Sequence, residues 1–78
     1  MKKLTQAVFD LPECPDWAES AAIDENGVAC WHPDGYPYLN YNVDSGVWGS
    51  EWSLMYKIIS SGYDTTNWQQ SAIDRGEK

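Results

Sequence analysis

Asp24-Glu25-Asn26-Gly27 lies between the apolar segments that end at Ile23 and begin at Val28, and it is the strongest fold signal in the chain. Asn and Gly both accept positive φ, and a turn built on them matches the right-handed twist of two paired strands. The tetrapeptide therefore predicts a β-hairpin, with arms over roughly residues 19–24 and 28–32. The first arm is Ala-rich and also suits a helix ending near Gly27; the turn decides for a strand. Further turns are signalled at Pro33-Asp34-Gly35, Asp44-Ser45-Gly46 and Ser60-Ser61-Gly62. They leave Tyr36–Val43 extended, with Pro37 blocking a central strand position, and Trp52–Ile59 as the best strand by length and residue type.

The C-terminus reads as a helix over 64–75. Asp64, Thr65 and Thr66 suit an N-cap, Thr66-x-x-Gln69 matches a capping box, and Gly76 is a stop. So short a helix is marginal alone and must dock, with Trp68 and Ile73 as its contacts. At the other end, residues 1–10 read as an N-terminal arm or edge strand, followed by a Pro-restricted loop at Leu11–Pro15. With 78 residues there is room for one domain, 1–78, and no large substrate cleft. The expected fold is α+β: a three- or four-stranded antiparallel meander with a short C-terminal helix packed on it. Its expected core is Trp17, Ile23, Val28, Trp31, Trp52, Leu54, Tyr56, Ile58, Trp68 and Ile73.

Charge bears on function. Twelve acids against five bases leave a net charge of −7, which argues against binding to nucleic-acid phosphates. Position sharpens this. From Leu4 to Tyr56 there is no Lys or Arg, while Asp10, Glu13, Asp16, Glu19, Asp24, Glu25, Asp34, Asp44 and Glu51 all fall in that span. Such a surface keeps a protein soluble, and it also steers encounter with a basic partner.

Motifs for chemistry are missing. His32 is the only histidine, and no G-x-S-x-G elbow accompanies it. A Cys30/His32 dyad would share one face of a strand but has no oxyanion donor in view. Cys14, Cys30 and His32 give three soft ligands where structural zinc wants four. Asp24–Gly27 resembles part of a calcium loop, yet Ala22 and Pro33 stand where its first and last ligands belong. No catalytic residue, metal or cofactor is expected. Leu4–Phe9 is too short and polar for a signal-peptide core, and no apolar run is long enough to span a membrane. That favours a cytosolic protein with reduced cysteines.

Five Trp, five Tyr and one Phe exclude ordinary disorder. A core this small cannot cover every ring, so some in the Gly- and Pro-punctuated middle stay exposed. Trp and Tyr are the residues that anchor protein interfaces. Rings among carboxylates give a candidate partner-binding set: Glu25, Asp34, Tyr36, Tyr38, Tyr41, Asp44 and Trp48.

Leu11-Pro12, Asp16-Trp17-Ala18, the Ile23–Gly27 turn, Trp52 and the ending Tyr63-Asp64-Thr65-Thr66-Asn67-Trp68-Gln69-Gln70-Ser71 together resemble small, mostly uncharacterised proteins of tailed bacteriophages and prophages. The resemblance implies a small antiparallel sheet with a terminal helical turn, working in the cytoplasm of an infected bacterium. It implies no activity, and no site residues carry over. The expected function is a non-enzymatic accessory protein that binds and modulates a host protein with a basic surface, as a monomer or small homo-oligomer, without direct contact to nucleic acid or membrane. DNA mimicry against a DNA-binding protein, a minor virion or assembly role, and small-ligand binding are the alternatives.

Overall fold

The computed structural model describes residues 2–35, 38–50 and 55–76. Six strands form: β1 (Ser20–Ile23), β2 (Ala29–His32), β3 (Leu39–Asn42), β4 (Val47–Ser50), β5 (Lys57–Ser60) and β6 (Ile73–Asp74). Two 3₁₀ turns, Gln6–Asp10 and Trp68–Gln70, complete the regular structure of the described residues. The strands make two antiparallel sheets, one of four strands in the order β5-β2-β1-β6 and a two-stranded ribbon of β3 and β4. The expected meander with a docked helix is thereby corrected: the described chain is sheet and 3₁₀ turn, without an α-helix. Among these residues no helix is long and apolar enough to cross a membrane.

The β1–β2 hairpin forms where the Asn-Gly signal places it, with Ile23 opposite Ala29 and Ala21 opposite Trp31. Its loop is a three-residue type rather than a two-residue one. The Asp24 carbonyl accepts from Gly27 N–H (3.0 Å), Asp24 N–H donates to the Val28 carbonyl (2.8 Å), and only Gly27 takes positive φ (88°). Asn26 instead accepts from Val28 N–H through its side chain (3.1 Å). Gly27 is also hemmed in, since a Cβ there would lie 3.2 Å from the Tyr63 carbonyl oxygen.

The alanines of β1 have a packing cause. β1 is central and buried on both faces. Trp31 stands opposite Ala21, and its indole N–H reaches the Val8 carbonyl (3.2 Å). A large ring across from a small residue fills one layer, where two large residues would overpack it. Val8, Phe9, Ala18, Ala21 and Trp31 make one core cluster, with Leu4, Cys14, Trp17, Ile59 and Ile73 against it. Ile23, Ala29, Tyr63 and Trp68 make a second, joined by Leu4, Trp48 and Ile59. The N-terminal segment is thus a capped 3₁₀ turn that inserts Val8 and Phe9 into the core.

Of the expected core, Ile23, Trp31 and Trp68 are buried, and Trp17, Val28 and Ile73 are half-buried. Trp52 and Leu54 lie outside the described residues. Tyr56 and Ile58 are corrections, at 60% and 58% exposed. Ile58 opposes Cys30 on the face of the sheet turned away from Trp31, and the register of β5 shifts between Ala29 and Cys30. Ile59 is the extra residue there, and it packs against both core clusters in place of its neighbour.

The C-terminal correction has an equally local cause. The Asp64 carboxylate accepts from Thr66 N–H (2.9 Å) and Thr66 hydroxyl (2.6 Å), which occupies the side chain that a capping box would use. Asn67 sits at the N-cap without a side-chain bond, and only one 3₁₀ turn follows. Ser71 then accepts from Ile23 N–H (2.8 Å) and donates to the Trp68 carbonyl (2.7 Å). That leads the chain onto the free side of β1, where β6 pairs Asp74 with Ser20 and Ile73 with Ala21. Sheet pairing satisfies backbone groups of both segments, whereas a short exposed helix would leave the rim of β1 open.

Candidate functional site

The ribbon of β3 and β4 with its connecting turn carries Tyr41, Asp44 and Trp48, three of the six described candidate residues. Its inward row is Leu39, Tyr41, Trp48 and Ser50, set by the pairs Leu39–Ser50 and Tyr41–Trp48. Leu39 is buried. Tyr41 meets the Trp48 ring edge-on at 5.2 Å and the Trp68 ring at 5.5 Å. The Trp48 indole N–H donates to the Trp68 carbonyl (3.0 Å). These contacts fasten the ribbon to the body of the protein while leaving part of the Tyr41 ring in solvent.

Two turns meet beside it. Glu25 N–H donates to the Gly46 carbonyl (2.8 Å), and Trp48 N–H donates to Asp24 Oδ1 (2.9 Å). Gly46 has φ of 72°, and a Cβ there would come within 3.0 Å of Glu25 Cβ. The bond brings exposed Glu25 next to the Asn42–Gly46 turn, whose Asp44 is also exposed. Asn42 organises that turn by accepting from Asp44 N–H (2.8 Å). Val43 within the turn and Val47 just after it are exposed, so the two carboxylates border apolar surface.

The other candidate residues divide by role. Asp34 is half-buried: its carbonyl accepts from Ser20 hydroxyl (2.6 Å), and its carboxylate accepts from Ser50 hydroxyl, so it braces the ribbon against β1. Trp48 is half-buried and bonded inward through both N–H groups. Tyr38 and Tyr41 are exposed. Tyr36 lies outside the described residues. Sequence reading missed Asp24 as the clasp between the turns and Val43 and Val47 as the apolar part of the surface. Burial raises the Asp24 carboxyl above its ordinary value, although the bond from Trp48 N–H opposes this.

Cys30 and His32 do share one face of β2, as their spacing predicts. Cys14 packs on the opposite side, with the Trp31 cluster. Among the described residues no group of three or more His, Cys, Asp or Glu is placed to hold a metal ion. Burial pushes the Cys30 thiol up to about 12, with the Asp24 charge adding to it, which suppresses thiolate chemistry. Burial pulls His32 down to about 4. Its ring is 2% exposed and neither nitrogen has a hydrogen-bond partner, so it is a neutral buried imidazole. Val28, Cys30, His32, Val47, Tyr56 and Ile58 line a groove of about 300 Å³ between the ribbon and β5.

Three of the cations are held by segments other than the acidic turns. Lys57 donates to the Glu13 carbonyl (2.7 Å), Arg75 to the Ala18 carbonyl (3.0 Å), and Lys2 to Ser60 hydroxyl (2.9 Å) while lying 4.6 Å from the Tyr63 ring centroid. Comparison of the chain with protein-family models, with curated proteins and with solved structures gave no match.

Proposed function

We propose that the chain is a non-enzymatic binding protein that docks on a basic surface of another protein through the joined turns of Glu25 and Asp44 and the exposed rings of the ribbon. The observation that carries this reading is the bond from Glu25 N–H to the Gly46 carbonyl, which brings two acidic turns distant in sequence to one surface. Carboxylates next to Tyr38, Tyr41, Val43 and Val47 supply both steering and contact area. The biological setting, from the resemblance of the sequence, is a phage-encoded accessory protein that modulates a host protein in the cytoplasm of the infected cell.

The test is capture from bacterial lysate at low and moderate salt, read by mass spectrometry, with a Glu25→Gln/Asp44→Asn double variant alongside. Both residues are exposed, so the variant keeps its fold. A basic protein retained at low salt, released by added salt and lost with the double variant is the expected result. Capture that ignores both salt and the double variant overturns the acidic surface.

A further inference from the structure

Among the described residues, His32 is the buried polar side chain left without a partner. It is 2% exposed, and neither ring nitrogen is hydrogen-bonded. Buried polar groups are nearly always paired, and an apolar residue would fill the same space without the cost of an unmet donor and acceptor. Burial keeps the ring neutral, so one nitrogen carries a proton to donate and the other a lone pair to receive one. The ring forms part of the floor of the groove of about 300 Å³, with Val28 and Cys30 beside it along β2. Ile58, opposite Cys30, and Tyr56 make one wall. Val47 and Trp48 of the ribbon make the other, and Trp48 is held there by both of its N–H bonds and by the Tyr41 ring. Asp24 and Asn26 line the groove as well, and among its described lining residues there is no Lys or Arg.

We propose that this groove binds a small uncharged molecule of the phenol class, an aromatic body bearing a hydroxyl that pairs with the His32 imidazole. The apolar walls and the Trp48 and Tyr56 rings select the aromatic body. The imidazole selects the polar group. A hydroxyl both donates and accepts, so it meets whichever nitrogen faces the groove. An ammonium has no lone pair to accept the ring N–H, and a carboxylate has no proton for the bare nitrogen. The Asp24 carboxylate and the net charge of −7 further disfavour an anion. No hydrogen bond holds the imidazole, so turning it about its terminal torsion to offer a nitrogen breaks none. A volume of about 300 Å³ matches a small molecule rather than a folded segment of a partner.

This site is independent of the acidic turns. An uncharged ligand binds alike at low and high salt, and alike to the Glu25→Gln/Asp44→Asn variant. The test is titration of the full chain with p-cresol, followed by heteronuclear NMR of the backbone amides and the imidazole, with toluene, benzylamine and benzoate as matched probes. The expected result is saturable binding of p-cresol with a Kd below about 1 mM. Amide shifts should centre on Val28–His32, Val47 and Ile58, and the His32 imidazole resonance should move with them. The three matched probes bind about tenfold more weakly and leave the imidazole resonance in place. His32→Leu lowers the affinity for p-cresol about tenfold and leaves that for toluene unchanged. The probe series on the wild-type chain needs no substitution, so it stands apart from any effect of His32→Leu on folding. Failure of p-cresol to saturate at millimolar concentration overturns the proposal. So does an affinity for toluene or benzylamine that equals or exceeds that for p-cresol, or a set of shifts centred away from the groove.

Discussion

The two edges of the four-stranded sheet are opposites. β6 is only two residues long, and its side of the sheet is laced shut: Ser71 bonds to Ile23, Arg75 N–H donates to the Glu19 carbonyl (2.8 Å), and the Gln6 side chain bonds to Asp74 and Gly76. The two termini of the chain are tied together there. β5, on the far side, keeps Tyr56 and Ile58 in solvent beside an apolar groove. One edge is tied to the terminal segments, and the other keeps apolar side chains in solvent.

The largest effect is expected where both sides share an anchor. Trp31→Ala removes the ring that joins the N-terminal turn to the sheet, and should cost about 3–5 kcal/mol in urea unfolding. A loss under about 1 kcal/mol would mean that the core lies elsewhere.

The next effect is set by pH, beside the open edge. The unfolded chain protonates His32 near 6.5, and the folded protein only near 4. Between those values the unfolded state binds more protons, so stability falls as pH drops from 6.5 and the loss is complete below 4. Its upper bound is about 3 kcal/mol. Asp24, raised by burial, works in the opposite sense, since its folded form takes up a proton first. Comparison with His32→Leu isolates the imidazole: the variant should lose the slope between pH 6.5 and 4, and an unchanged slope would place its origin in other groups.

On the closed edge, Ser71→Ala leaves Ile23 N–H without its partner and should cost about 1–2 kcal/mol, measured by thermal unfolding. On the open edge, Ile58→Lys should change unfolding by less than about 0.5 kcal/mol. If the two substitutions cost the same, the contrast between the edges fails.

What the sequence made legible follows from how local each cause is. Gly27 reads correctly as a turn because positive φ is a property of one residue. The capping pattern at Thr66 misleads because the Asp64 carboxylate, two residues earlier, takes the Thr66 hydroxyl for itself. Alternation along Trp52–Ile59 puts Tyr56 and Ile58 inside, whereas the row of Lys57 and Ile59 is the one that faces Trp31, and a period-two pattern does not say which of its two rows the sheet buries. The candidate site divides in the same way. Glu25, Tyr38, Tyr41 and Asp44 are exposed, as composition suggests for polar and aromatic residues near turns. The nearness of Glu25 to the turn of Asp44 rests on one long-range backbone bond, and no spacing encodes it. Asp34 and Trp48 resemble surface residues in sequence, yet their hydrogen bonds turn them inward.

Native-state hydrogen exchange in dilute solution tests the contrast between the edges most directly. The outward amides of Lys57–Ser60 should exchange quickly, while the Ile23 amide bonded to Ser71 and the Arg75 amide bonded to Glu19 exchange slowly. Protection of the outward β5 amides equal to that of Ile23 and Arg75 would contradict the account.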